Sequence, residues 1–252
     1  MSAETEDERF ERLSRDRIVR PTPKRFYKVV GVTAKREISL DGRIVKTPLK
    51  VPLVLPTRAL AEAVAAEWDA QKEYVNPGTM PLTRLANTAI DRATSERPSI
   101  AAEILEFAGS DMVCYRADKP DSLVSLQTQY WDPVIAWAQD VLGVKFATVD
   151  SIMHISQSRD AMQAVRAHVG GLDAFAFTAA HNLTTLTGSA LLSLMLASGG
   201  ISSQRAWLAA NVDEDWQIST WGHDDEAETR RAGRLNEFSA CVMFIKLAQS
   251  RP

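Results

Sequence analysis

The sequence predicts an α+β fold, in which a small antiparallel β-rich N-terminal domain precedes a larger all-helical C-terminal domain. Three observations support this prediction. Short segments rich in Val, Ile, Phe and Tyr alternate with turn residues up to about residue 56. Beyond that point apolar residues recur at helical spacing. The length of 252 residues accommodates two modest domains, and strands followed by runs of helices are typical of α+β architectures.

The predicted domain limits follow from changes in composition. Residues 1–20 mix acids and arginines with few apolar residues, and we expect a mobile N-terminal arm there. Pro21 and Pro23 separate this arm from a β-rich N-terminal domain over 21–92. The helical C-terminal domain is expected over 93–252.

The first domain is expected to contain a small antiparallel sheet. The segment RFYKVVGVT (25–33) predicts a strand. A hairpin is predicted over 36–48, because Asp41-Gly42 can supply the positive φ angles that a tight primed turn requires. The segment VPLVLP (51–56) predicts an edge strand, since its two prolines cannot donate ladder hydrogen bonds.

Helices are predicted from Thr57 onward. Thr57 is expected to cap a helix that runs through Trp68 to about Tyr74, and its apolar face predicts a core position for Trp68, at the seam between the domains. Pro133 should bend or split the helix that contains it. Further helices are predicted over 82–92, 95–109, 123–143, 158–168, 173–198 with a break near 182–188, 202–211 and 224–249.

Composition and charge exclude several classes of protein. The net charge of -3 argues against a nucleic-acid binder, which usually carries a basic face. The longest apolar run, 186–198, is shorter than the roughly 20 residues that a membrane span needs. Cys114 and Cys241 lie in apolar surroundings and predict buried, reduced thiols, which suits a reducing compartment. The N-terminus has neither an apolar core nor the acid-poor composition of an import signal, so we expect a cytoplasmic protein.

Motifs of cofactor and nucleotide chemistry are absent from the sequence. No glycine-rich phosphate loop occurs, so no nucleotide or cofactor is predicted. Ser189 in TGSALL lacks the second glycine of a nucleophile elbow. The four histidines show no zinc-ligand spacing.

The segment VDEDWQISTWGHDDEA (212–227) concentrates six carboxylates, two tryptophans and a histidine. One hypothesis is a metal-assisted hydrolase that uses Glu214, His223, Asp224 and Asp225. The simpler interpretation is a helix start at Asp224 or Asp225, where acids complement the helix dipole. Asp213, Glu214 and Asp215 are consecutive, so on a helix their carboxylates diverge, and local chemistry favours binding over catalysis.

Six short motifs, in order, resemble one family. They are RFYK (25–28), LDGR followed by KTP (40–48), EWDAQ (67–71), MPLTRLANTAID (80–91), YWDP (130–133), and DEDWQ with the following WG, Asp224 and Glu226 (213–226). Together they span roughly residues 24–248. In this order and spacing the chain resembles the assembly chaperones of F-type ATP synthase.

The resemblance implies a two-domain fold without enzymatic activity or nucleotide. Members of this family bind the newly made alpha subunit of the catalytic sector until the beta subunit replaces them. Mitochondrial members begin with an import sequence, whereas this chain begins with an acidic arm, so we expect a bacterial cytoplasmic member that is a monomer when free. An interaction module with a different partner remains the alternative that local chemistry leaves open.

The resemblance also suggests roles for individual residues. Glu214 is expected to contact an arginine or backbone amide of the alpha subunit, or else to be a buried acid that satisfies helix ends within this protein. At least one of Trp216 and Trp221 is expected in the core. The residues assigned to partner binding are Glu214, Asp213, Trp216, Trp221, Asp224 and Glu226. The residues assigned to structure, with Arg84 and Asn87 fixing the orientation of the domains, are Trp68, Arg84, Asn87, Asp91 and Trp131.

Overall fold

The computed structural model describes residues 23–93, 95–151, 153–222 and 224–250. The predicted arm over 1–20 therefore lies outside the described residues, as does His223. No helix within the described ranges is long and apolar enough to span a membrane.

The described part of the N-terminal region contains a three-stranded antiparallel sheet in the order β1 (Val30–Val32), β2 (Ile38–Leu40), β3 (Arg43–Ile44). Asp41 and Gly42 close the β2–β3 hairpin with φ angles of 47° and 80°, as the turn chemistry predicts. The segment predicted as an edge strand over 51–56 forms isolated bridges instead, with Val54 opposite Glu37 and Pro52 opposite Lys46. The strands are shorter than the sequence predicts. Around them, the backbone forms isolated bridges and single hydrogen bonds within loops and not continuous ladders.

Ten α-helices follow the sheet within the described residues. They are α1 (Arg58–Asp69), α2 (Pro81–Asp91), α3 (Arg97–Gly109), α4 (Asp121–Leu142), α5 (Arg159–Gly171), α6 (Ala174–Thr187), α7 (Ala190–Ala197), α8 (Ser203–Ala210), α9 (Val212–Trp221) and α10 (Asp225–Ala248). This order confirms the α+β fold class, with a small sheet first and the helices after it.

Three helix limits differ from the sequence prediction. Helix α1 ends at Asp69 and not near Tyr74, because Tyr74 forms a bridge with Lys24. Pro133 does not split α4, which runs unbroken to a left-handed Gly143. Helix α9 was not predicted as an element of its own; it follows α8 after Asn211 alone.

The hydrophobic core is continuous between the two predicted domains. Ile38, Leu53 and Leu55 of the β region belong to the same buried cluster as Phe177 and Leu191 of the helices. Helix α6 packs against α2, α7 and α10, and α7 is buried along its whole length. The division near residue 92 stays a prediction.

Candidate functional site

The segment singled out by its acids and tryptophans contains α9 and the start of α10, and we call these two helices together the α9–α10 hairpin. Helix α9 carries the first three acids in its first turn. Gly222, with a φ of 92°, lets the chain reverse between the helices. Asp224 then caps α10, and its Oδ1 accepts a hydrogen bond from the Ala227 amide at 2.8 Å.

Two acids of α9 pair with arginines of α10. The Glu214 carboxylate accepts a hydrogen bond from Arg234, and Arg231 lies 3.9 Å from its other oxygen. Asp215 pairs with Arg231, whose guanidinium also lies 5.9 Å from the centre of the Trp207 ring. The Glu214 side chain is 30% exposed. Glu214 therefore has partners within this protein, and it is neither a free surface acid nor a fully buried one.

The opposite side of α9 is bonded to α4. Asp213 accepts a hydrogen bond at 2.8 Å from Nε2 of the buried Gln127. The Trp216 indole N–H donates to the Ser122 hydroxyl at 3.0 Å. Helix α9 is thus held between α4 and α10 largely by polar contacts, and Val212 is its buried apolar residue.

The two tryptophans of α9 form an edge-to-face pair, with ring centroids 5.6 Å apart and an interplanar angle of 82°. Trp216 is half-buried, and Trp221 is 73% exposed. The expectation that at least one of them belongs to the core is wrong. No element among the described residues covers Trp221, so the aromatic pair lies at the surface of this part of the chain.

A shallow pocket of about 220 Å³ lies beside this pair, between α9 and the start of α10. Its lining includes the apolar side chains of Ile218 and Trp221 and the charged side chains of Glu214 and Arg231. The pocket joins an apolar surface to a cluster of charges that are already paired. Such an arrangement suits an apolar side chain of a protein partner, flanked by polar contacts.

The residues proposed for metal-assisted hydrolysis do not form a metal site in the described part of the chain. The Glu214 carboxylate is engaged by arginines, and that of Asp224 caps a helix. Among the described residues, no group of three or more His, Cys, Asp or Glu side chains is placed to hold a metal ion. His223 lies outside the described residues, and nothing among the described residues supports the hydrolase hypothesis.

Comparison with known proteins gives consistent matches over most of the chain. The model of the ATP12 chaperone protein family matches residues 24–139. The mitochondrial protein atp12 of Schizosaccharomyces pombe is 24% identical over 224 residues, which cover 82% of this chain and 76% of that protein. The crystal structure of Atp12 from Paracoccus denitrificans superposes with a TM-score of 0.84 at 38% identity, covering 90% of this chain and 99% of that one. The chain belongs to the ATP12 family of ATP synthase assembly chaperones.

A second solved structure agrees. A chaperone-like protein of Agrobacterium tumefaciens superposes on this ATP12-family chain with a TM-score of 0.82 at 46% identity, covering 90% of this chain and 86% of that one. These matches identify the family and the fold. The roles of individual residues rest on the geometry of this chain.

The two tryptophans assigned to structure have different environments in this ATP12-family chain. Trp131 is buried, and its indole N–H donates to the Ala209 carbonyl at 2.8 Å. Trp68 is half-buried and packs edge-to-face on Tyr27, whose hydroxyl donates to the Trp68 carbonyl at 2.7 Å. Trp68 contacts both the main core and a smaller cluster in the β region.

Helix α2 contains the other residues assigned to structure. Arg84 forms an exposed ion pair at 2.6 Å with Glu237 of α10. Asp91 accepts hydrogen bonds from the Thr47 hydroxyl at 2.5 Å and the Leu49 amide at 3.0 Å, which fastens the β region to the end of α2. The half-buried Asn87 has no hydrogen-bond partner for its Oδ1 among the described residues. That Arg84 and Asn87 set the orientation of the domains stays a prediction.

Two structural acids were missed by sequence reasoning. The Glu67 carboxylate accepts from the Leu82 and Thr83 amides at 2.7 and 2.8 Å, which caps α2, and burial raises its pKa. Asp111 is fully buried, and burial raises its pKa to about 6. Their contacts with the starts of α2 and α7 leave no local spacing signal, because each of these helices begins 14 or more residues further along the chain.

Proposed function

We propose that this ATP12-family protein is an ATP-independent chaperone that binds the free alpha subunit of F-type ATP synthase. It masks the face of that subunit that later contacts the beta subunit, and the beta subunit displaces it. In this proposal the protein acts in the cytoplasm, as a monomer when free, without enzymatic activity and without a cofactor.

The observation that supports partner binding most directly is the exposure of Trp221 on the α9–α10 hairpin. A tryptophan offers a large apolar surface and a polar N–H, and tryptophans are enriched at the centres of protein interfaces. The same segment carries exposed acidic side chains, including Asp213, Asp224 and Glu226. The complementary surface of the alpha subunit would therefore carry an apolar side chain flanked by cations or amide donors.

The hairpin is also built to keep this surface in place. The hydrogen bonds that Arg234 donates to Glu214 and Gln127 donates to Asp213 fix α9 against α10 and α4 before any partner arrives. A preformed surface loses less conformational entropy on binding. A chaperone that must later be displaced needs only moderate affinity, because the competing subunit shifts the equilibrium by mass action.

Size-exclusion chromatography of the protein with isolated alpha subunit, and separately with the assembled catalytic sector, tests the proposal. We expect a complex with isolated alpha subunit only, and equal suppression of its aggregation with and without ATP. Equal binding to the assembled sector, or capture of an unrelated protein in preference to the alpha subunit, would contradict the proposal.

A further inference from the structure

A second pocket, of about 620 Å³, lies in the β region and is not part of the α9–α10 hairpin. We call it the β3 pocket. Its floor is apolar and at least half-buried: Tyr27, Leu40, Val45 and Trp68. Its rim is exposed and contains Phe26, Asp41, Arg43 and Lys46. Phe26 is 72% exposed, so the apolar surface continues from the floor to the outside of the molecule.

The floor of the β3 pocket is held by several contacts. The Tyr27 hydroxyl donates to the Trp68 carbonyl, and the two rings pack edge-to-face with centroids 5.8 Å apart. The Arg25 guanidinium lies 4.6 Å from the centre of the Tyr27 ring and donates to the Asp69 carbonyl at 2.8 Å. The pocket is therefore preformed.

The backbone beside the β3 pocket has an open edge. Strand β3 is the outer strand of the sheet, and Val45 donates from its amide to the Ile38 carbonyl at 2.8 Å. Because hydrogen-bonded and non-hydrogen-bonded pairs alternate in an antiparallel ladder, the neighbouring Ile44 directs its own N–H and C=O away from β2. No described residue bonds to these two groups. Ile44 also lines the pocket.

The rim has more positive than negative charge available for a ligand. Neither Arg43 nor Lys46 forms an ion pair with any described residue. The carboxylate of Asp41 accepts hydrogen bonds from the Lys28 and Val29 amides, at 3.1 and 2.8 Å, so it already has hydrogen-bond partners in the backbone. An anionic group near Arg43 and Lys46 would meet two unpaired cations.

We propose that the β3 pocket binds an extended, acidic polypeptide segment that adds to the edge of β3 at Ile44. One apolar side chain of the segment rests on the floor formed by Tyr27 and Trp68, and a nearby carboxylate pairs with Arg43 or Lys46. Strand addition of this kind obtains affinity from main-chain hydrogen bonds and specificity from a pocket for a side chain. A fatty acid would satisfy the cations and the floor but would leave the N–H and C=O of Ile44 unbonded.

A second copy of the chain fits the edge less well. Antiparallel pairing of two β3 strands at Ile44 would place the Arg43 side chains of the two copies at diagonal positions on one face, and like charges across a strand pair are destabilising. The segment is attributed to the alpha subunit, and this attribution rests on the proposed function. The proposal that the β3 pocket binds an acidic peptide does not depend on this attribution.

Fluorescence anisotropy with two labelled probe peptides tests the proposal. One peptide alternates Val with Asp and Glu, and the other alternates Val with Lys. We expect the acidic peptide to bind at least ten times more tightly than the basic one, and its affinity to fall with added salt. The double variant Arg43→Glu, Lys46→Glu should weaken binding of the acidic peptide at least tenfold. The matched control is Lys35→Glu, Lys145→Glu, which changes the net charge equally at exposed positions elsewhere and should leave binding unchanged.

Several results would overturn the proposal: no binding of the acidic peptide, equal weakening in both double variants, or saturable binding of octanoate without binding of the peptide. A dimer in sedimentation that dissociates in the Arg43→Glu, Lys46→Glu variant would assign the edge to a second copy and would also overturn it. The proposed function is tested separately with Trp221→Ala, which should leave peptide binding unchanged. If the peptide binds and the alpha subunit does not, the attribution to the alpha subunit fails and the site remains.

Discussion

Glu214 of α9 and Arg234 of α10 form an ion pair that closes the α9–α10 hairpin. The pair lies 20 residues apart in sequence, and Arg231 approaches the same carboxylate from the preceding turn of α10. Two cations thus converge on one acid that is 30% exposed. The exposed Trp221 lies about two turns further along the same helix, so this contact also helps to position it. Glu214 therefore connects the stability of the hairpin to the surface proposed for binding.

The first prediction concerns Glu214→Lys. The new lysine would face Arg234 and Arg231 without an anion between them. Exposed ion pairs are worth about 0–1 kcal/mol, and breaking a buried one costs about 3–5 kcal/mol, so a partly exposed pair should cost roughly 2 kcal/mol. We expect a lower midpoint in urea denaturation and weaker binding of the alpha subunit together.

Glu226→Lys is the control for this change. Its side chain is 84% exposed and pairs only with Arg230 one turn away on the same helix among the described residues. We expect its free energy of unfolding to stay within about 0.5 kcal/mol of the parent value. A Glu214→Lys protein that is as stable as the parent would show that the ion pair does not hold the hairpin together.

The second prediction concerns Trp221→Ala. Because Trp221 is exposed, its removal should change the free energy of unfolding by less than about 0.5 kcal/mol. If it is a central contact, truncation should cost about 2 kcal/mol of binding free energy, or roughly a 30-fold loss of affinity for the alpha subunit. Isothermal titration calorimetry and thermal unfolding on the same preparation measure both quantities.

Met153→Ala serves as the matched control, since Met153 is comparably exposed but lies between α4 and α5. Its affinity for the alpha subunit should equal that of the parent. Unchanged affinity in Trp221→Ala would remove this residue from the interface.

The parts of the fold that sequence predicts best are those set by local chemistry. Asp41-Gly42 closes a hairpin because few other residue pairs tolerate its φ angles, and Thr57 caps α1 through a side-chain bond to the Leu60 amide. The end of α1 was missed because it depends on Lys24, which lies about 50 positions earlier and pairs with Tyr74. Non-local pairing leaves no periodic signal at the residue where the helix stops.

The sequence identified the residues of the candidate site, but it did not predict their arrangement or their contacts. The apolar period that reveals a helix is weak in α9, because its packing relies on polar contacts such as Asp213 with Gln127 and Trp216 with Ser122. The expectation of a core tryptophan rested on the usual burial of large apolar residues, whereas no element among the described residues covers Trp221. The partners of Glu214 could not be predicted from the sequence, because Arg231 and Arg234 approach it only when α10 packs against α9.

The third prediction concerns the bond between Thr47 and Asp91. The Thr47 hydroxyl is buried and donates to the Asp91 carboxylate at 2.5 Å, which joins the β region to α2. A hydrogen bond to a charged group contributes about 1.5–3 kcal/mol. In a double-mutant cycle of Thr47→Ala and Asp91→Ala, we expect a coupling free energy of at least about 1 kcal/mol by urea denaturation. Additive effects of the two substitutions would show that the bond contributes nothing to stability.

The fourth prediction concerns the two cysteines. Cys114 and Cys241 are free and buried, and burial raises the pKa of each thiol to about 12. Because the thiolate is the reactive form, neither should react with a disulfide reagent such as DTNB at pH 8 in the folded protein. Both should react within minutes in guanidinium chloride. Rapid labelling of one thiol under native conditions would indicate local opening of the segment that carries it.

The last prediction concerns the buried acid Asp111. Its carboxylate accepts a hydrogen bond at 2.9 Å from the Leu191 amide at the start of α7, but burial dominates and raises its pKa to about 6. In the unfolded chain an aspartate has a pKa of about 3.9. Between these two values the folded protein binds more protons than the unfolded chain, so the free energy of unfolding must fall as the pH rises. About two pKa units correspond to roughly 3 kcal/mol, fully lost above the folded pKa.

Asp111→Asn removes this titration. We therefore compare urea denaturation of the parent and the variant between about pH 4 and pH 7, where the other carboxylates are common to both proteins and cancel in the difference. The stability of the parent relative to Asp111→Asn should decrease by roughly 3 kcal/mol across this range. Asp173→Asn is the matched control, because Asp173 is an exposed cap of α6 and asparagine caps helices equally well. Parallel curves for the parent and Asp111→Asn would mean that Asp111 is ionised throughout, stabilised by the amides at the start of α7 more strongly than burial opposes it.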